Sequence, residues 1–192
     1  NPSAKDTSVT IRIWGSDKSG ALALSTGSTL TVASGKETVL NLSAAASGQD
    51  ALYATVTGTD TPVAAIVRTV SMDGLTSKGS DYALPNNASA KSLALYGLNG
   101  GDHATLYLYT SRKTDVTVSW IDSKGAQQTN QQELKANRAS AIDLGDVPKS
   151  ATGIAIAASE PVSATAKISD DGPDGQSDFA LVNASAPAKI SA

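Results

Sequence analysis

Short runs in which every second residue is apolar recur along the chain, separated by turn residues. Val9, Ile11 and Ile13 alternate with Thr10 and Arg12, the period-two pattern of a half-buried strand. Asp17-Lys18-Ser19-Gly20 then reads as a turn, with Gly20 supplying a positive-φ position. Residues 29–32 and 38–42 read as the next strands, and the Ala-rich segment 43–48 holds one helical turn at most. Residues 52–57 and 63–70 are expected as strands flanking the Asp60-Thr61-Pro62 turn. A Gly/Ser loop over 73–79 leads into a strand at 80–84.

Beyond residue 90 the pattern predicts strands at 93–96 and 105–109, hinged at Asn99-Gly100-Gly101-Asp102. A strand at 116–121 is followed by the turn Asp122-Ser123-Lys124-Gly125, and further strands fall at 141–144, 154–158 and 164–167, with Glu160-Pro161-Val162 matching the earlier Pro-Val turn. Residues 127–138 have helical propensity, but their counterpart in the first half reads as strand-turn-strand. They are therefore assigned to β structure.

One stretch occurs twice. Ser80-Asp81-Tyr82-Ala83-Leu84-Pro85-Asn86 returns as Ser177-Asp178-Phe179-Ala180-Leu181-Val182-Asn183, with five of seven positions identical. The turns at 17–20 and 122–125, and the pairs Pro62-Val63 and Pro161-Val162, echo in the same order. The expected fold class is all-β: two tandem, internally duplicated immunoglobulin-like β-sandwich domains over residues 1–90 and 91–192. The second unit has two leading strands that the first lacks. The first sandwich is thus expected either to be incomplete or to share strands across the pair, since an uncovered sheet edge invites aggregation.

Composition narrows the function. The chain has no Cys, one His, one Phe and two Trp, so disulfides, thiol catalysis and Cys-zinc sites are excluded together. Few aromatics and many small residues point to thin, closely packed layers. Net charge is −3, and no basic stripe with interleaved aromatics marks a nucleic-acid partner. No apolar run approaches the ~18–20 residues of a membrane-spanning helix. The opening Asn1 is read as the trace of a removed signal peptide or anchor, and the expected localisation is extracytoplasmic.

Certain residues carry a family resemblance: Asn1-Pro2, Val39-Leu40-Asn41-Leu42, Ile142-Asp143-Leu144, Pro62-Val63, Pro161-Val162, Ser80 to Ala83 and Ser177 to Ala180. On these, the chain resembles an actinobacterial domain family of unknown function, found in large secreted or membrane-tethered envelope proteins as tandem β-sandwiches. Thr110-Ser111 departs from the pattern, standing where the second unit should carry Asn-Pro. The resemblance implies an envelope location and transfers no catalytic residue.

Three constellations bear on chemistry. Asp170, Asp171, Asp174 and Asp178 sit on a Gly-bearing loop of the kind calcium needs, since that ion takes 6–8 oxygen ligands. The EF-hand spacing fails, because Gly172 falls on the third position and Leu181 on the twelfth, and a solvated loop is the alternative. Tyr107 and Tyr109 share one strand face and, with Trp14, Trp120, Tyr53 and Tyr96, would suit sugar stacking; cross-strand packing is the alternative. His103 lies at a turn with no Ser/His/Asp arrangement around it. Ser80, Asp81, Tyr82, Ser177, Asp178 and Phe179 are read as a structural signature, the aspartates bonding backbone at a strand start. The functional expectation is a non-enzymatic envelope module, a spacer or protein-interaction domain. The alternative is a carbohydrate- or calcium-dependent binding module, with envelope proteins or cell-wall glycans as partners.

Overall fold

The computed structural model describes residues 1–171 and 177–186, without the side chains of Ser71, Asp73, Lys78, Gln128, Thr129, Asp171, Ser177 and Asp178. The first half holds β1 (Thr7–Gly15), β2 (Thr29–Val32), the single turn α1 (Ser43–Ala46), β3 (Leu52–Gly58), β4 (Val67–Asp73) and β5 (Thr76–Ala83). The second half holds β6 (Ala90–Tyr96), β7 (His103–Thr110), β8 (Thr114–Asp122), β9 (Gly125–Leu134), β10 (Arg138–Asp146), β11 (Gly153–Asp171) and β12 (Ser177–Asn183). The chain is all-β, as its alternation requires.

The second half is built round β11, which is 19 residues long and belongs to two layers. Its first part pairs with β8 on one side and β6 on the other; its last part pairs with β7 and β12. With β9 beside β8 and β10 beside β7, the result is two four-stranded layers, β9-β8-β11-β6 and β10-β7-β11-β12. A strand that changes layers at a bend is how sheets turn a corner. Residues 159–161 belong to neither ladder, and Pro161 falls where no ladder N–H is needed. The sequence expectation of a turn at 160–162 is corrected here: the chain bends without leaving the strand.

Buried threonines satisfy the backbone at this corner. Thr114, 3% exposed, accepts the Glu160 N–H at 2.8 Å and shares a hydrogen bond of 2.9 Å with the Ser159 hydroxyl. Thr110, 1% exposed, donates to the carbonyls of Arg112 (2.7 Å) and Pro161 (3.3 Å). Buried polar groups are tolerated when so paired. Between the layers lie Leu93 and Leu95, Leu106 and Leu108, Val116 and Val118, Ile154 and Ile156, with Ala104, Ala164 and Ala166 letting the layers approach closely.

The first half is slighter. β2-β1-β3 form a three-stranded antiparallel sheet, and β4-β5 a separate hairpin. Its registers coincide with those of the second half: Val9↔Gly58 and Thr7↔Val32 correspond to Val116↔Ala158 and Thr114↔Leu134. Gly20 and Gly125, which close the corresponding Asp-led turns, share the same φ of +104°, a conformation only glycine takes without strain. Thr7 is buried like Thr114 and its hydroxyl meets that of Thr61.

Three expectations are corrected. Residues 38–42 form no strand, and β4 begins at Val67 rather than Val63. Both segments have the right alternation but lack a neighbouring strand, and an unpaired extended segment gains no ladder. The expected loop over 73–79 is a tight hairpin instead, closed at Gly74 with φ +58°.

Candidate functional site

The two halves meet on the outer face of the β10-β7-β11-β12 layer. Alternation along β7 turns Leu106 and Leu108 inward and leaves Tyr107 and Tyr109 half-buried on the opposite face. Tyr109 stacks on Tyr53 of β3, ring centroids 3.8 Å apart and planes within 4°. Trp14 of β1, opposite Tyr53 in register, leans on both rings at 5.7 and 5.2 Å with tilts of 43° and 48°. Burial raises the Tyr107 and Tyr109 phenol pKa values above the ordinary tyrosine value, and the neighbouring Tyr53 raises that of Tyr109 further. Of the two residues expected to stack on sugar, Tyr109 is thus occupied by protein rings.

Further bonds join the halves at the same place. The Arg138 Nε donates to the Ser16 carbonyl, and the Gly20 N–H donates to the Asn137 carbonyl at 2.9 Å. Asn137 takes a left-handed φ of +53°, one of the few non-glycine conformations asparagine tolerates. At the other end of the layer, one Asp81 carboxylate oxygen accepts the Leu181 N–H of β12 at 2.7 Å. Asn183 Nδ2 donates to the Leu84 carbonyl at 2.9 Å, and Asn86 Nδ2 to the carbonyls of Ala164 and Ala184, both at 3.0 Å. The signature strand β5 therefore runs beside β12. Asp81 bonds backbone 100 residues away rather than at its own strand start, while Ser80 accepts from Arg68 at 3.3 Å and Tyr82 is exposed. Lys167 Nζ lies 4.7 Å over the buried Phe179 ring, a cation–π contact.

The calcium expectation falls largely on other ground. Asp170 is exposed in β11, its backbone opposite Asp178, and Asp171 lies opposite Ser177. Asp174 and the side chains of Asp171, Asp178 and Ser177 lie outside the described residues. Among the described residues no group of three histidine or acidic side chains is arranged to hold a metal.

One cluster escaped the sequence reading. His103 Nε2 is 2.9 Å from Asp143 Oδ1, and its Nδ1 is 3.5 Å from Asp146 Oδ1. A β-bulge between Asp143 and Gly145 brings both aspartates to the end of β10 that faces His103 across the ladder. Nothing in the spacing of these residues announces the contact, since it depends on the β7–β10 register. The Ser169 hydroxyl donates to the His103 carbonyl at 3.5 Å, so it is directed at backbone and not at the ring. A polar groove of ≈ 260 Å³ lies on the outer face of the first sheet, lined by Thr10, Arg12, Thr55 and Thr57.

Taken together, the geometry defines an all-β protein in which a two-layer sandwich is tied to a smaller sheet and hairpin by an aromatic stack and edge-to-edge side-chain bonds. The chain belongs to a family of unknown function, DUF5719, whose model matches residues 1–192. Comparison with curated proteins and with solved structures gives no match.

Proposed function

We propose that this chain is a non-enzymatic, extracytoplasmic module of a bacterial cell-envelope protein, acting as a structural spacer or protein-interaction domain. The observation that carries the reading is the Trp14–Tyr53–Tyr109 cluster. Rings that a sugar-binding platform would present to solvent are here packed on one another across the boundary between the halves. A spacer needs its successive units held at a fixed angle. Bonds at two separate places, around Tyr109 and around Leu181, oppose both hinge and twist. The family resemblance supports the envelope setting.

The test is NMR relaxation on the intact chain. A single rotational correlation time for amides of β1, β3, β8 and β11 is expected, and Tyr109→Ala should separate the halves into faster and slower tumbling sets. Two correlation times in the wild-type protein would sink the spacer reading. A glycan-array hit abolished by Tyr107→Ala, or a calcium-dependent rise in melting temperature, would replace it with a binding module.

A further inference from the structure

We infer that the first half lacks one strand in each of its two layers, and that an amphipathic two-strand segment from outside this chain, one strand per layer, fills both places. The argument starts from the shared registers. β1, β2 and β3 pair residue for residue as β8, β9 and β11 do, so each position in the second half shows what its counterpart lacks. In the second half the free side of β11 is covered twice: by β6 along Gly153–Ala157 and by β7 along Ser163–Ser169. In the first half the corresponding sides of β3 and β4 are open, each strand having one partner on a single side.

The side chains register the same vacancy. Val56 is 40% exposed where its counterpart Ile156 is 1% exposed, and Ala54 is exposed where Ile154 is fully buried. Val67 is 43% exposed against 9% for Ile168, which holds the same place opposite Ala180 as Val67 opposite Ala83. Residues 38–42, which echo the segment of β10 that pairs with β7, are not a strand, and Val39 is 87% exposed. One missing element accounts for all of these: two strands joined by a turn that crosses between layers, the first pairing with β3 and the second lying between β4 and residues 38–42, as β6 and β7 do beside β11 and β10. Its chemistry is written in β6–β7, where leucines at alternate positions (93, 95, 106 and 108) point inward. Unpaired edges with apolar flanks are templates for strand addition. This inference does not rest on the spacer reading, whose failure in the tumbling experiment would leave it intact.

The probe is a peptide of residues 90–110 added to the intact chain, followed by anisotropy of a label on the peptide and by hydrogen exchange. Saturable one-to-one binding is expected, with exchange slowed in β3 and β4 and unchanged in β8. Leu93→Asp in the peptide, opposite Val56 by the β6 register, and Val56→Lys in the protein should each weaken binding about tenfold or more. Val56 is surface-exposed, so the variant keeps its fold. A second arm fuses residues 90–110 ahead of Asn1 through a flexible linker; the fusion should melt at a higher temperature and protect β3. No binding together with an unchanged fusion melt overturns the inference. So does a concentration-dependent dimer of the chain alone with β3 protected, which would make a second copy the occupant.

Discussion

The Tyr53–Tyr109 stack offers the sharpest test of how the halves are joined. The perturbation is a double-mutant cycle: Tyr53→Ala, Tyr109→Ala and both together. The rings lie 3.8 Å apart with nearly parallel planes, closer to a face-to-face arrangement than the offset or edge-on geometries that ring quadrupoles favour. The direct coupling should therefore sit in the lower part of the usual range, about 0.5–1 kcal/mol. Each single substitution also forfeits a Trp14 contact and buried ring area. Because Tyr109 is only half-buried, its truncation should cost about 2–3 kcal/mol, below the ~3–5 kcal/mol of a fully buried aromatic. Urea unfolding of the four proteins, with the slope checked for constancy, gives the cycle directly. If the two single losses add to within ~0.3 kcal/mol, the stack contributes nothing beyond burial and the reasoning fails. Two resolved transitions in Tyr109→Ala, against one in the wild type, would show in addition that the cluster is what makes the halves unfold together.

Other predictions follow from single contacts. Thr114→Val keeps volume and branching at the β11 corner but strips the partner from the Glu160 N–H and one of two partners from the Ser159 hydroxyl, which keeps the Asp115 N–H at 3.2 Å; a loss of about 1–3 kcal/mol by thermal or urea unfolding is expected, while a loss under ~0.5 kcal/mol would mean the corner finds other partners. Asp81→Ala should speed hydrogen exchange at the Leu181 amide and leave β8 amides unchanged; equal acceleration everywhere would point to global destabilisation instead. The Tyr109 phenol, held above its ordinary pKa by burial and by Tyr53, binds its proton longer in the folded chain than in the unfolded one. Its contribution is complete below the unfolded pKa of ~10 and is lost as pH rises through the folded value, so alkaline stability should fall less steeply in Tyr109→Phe. A Tyr109→Phe profile that superimposes on the wild type would refute that assignment. Glu133→Gln breaks the 2.6 Å pair with Lys113 on an exposed surface, where screening by water and salt should leave the melting temperature almost unmoved.

The alternation of Val9, Ile11 and Ile13, the Asp-led turns closing at Gly20 and Gly125, and the β assignment of residues 127–138 were all legible without coordinates. Each depends only on side-chain periodicity or on one residue's φ, which are local properties of the chain. The echo of Ser80-Asp81-Tyr82 in Ser177-Asp178-Phe179 was equally plain, and both copies lie in strands that end a hairpin. What the echo could not say was where Asp81 points, because its partner at Leu181 is 100 residues away. Strand formation at 38–42 depended on a neighbour that the alternation cannot supply. Likewise, the joining of residues 153–171 into one strand depended on the layers either side of Pro161.

The sequence by itself therefore determined the class of structure: strand periodicity, turn chemistry and the want of charged residues at inward positions specify packed β layers. The tertiary structure alone decided what the scarce special residues do. Tyr109 meets Tyr53 and Trp14, and His103 meets Asp143 and Asp146, because sheet registers and the packing of one half on the other bring distant positions together. A register is a property of pairs of strands, set by the cooperative burial of whole faces, and no single segment contains it.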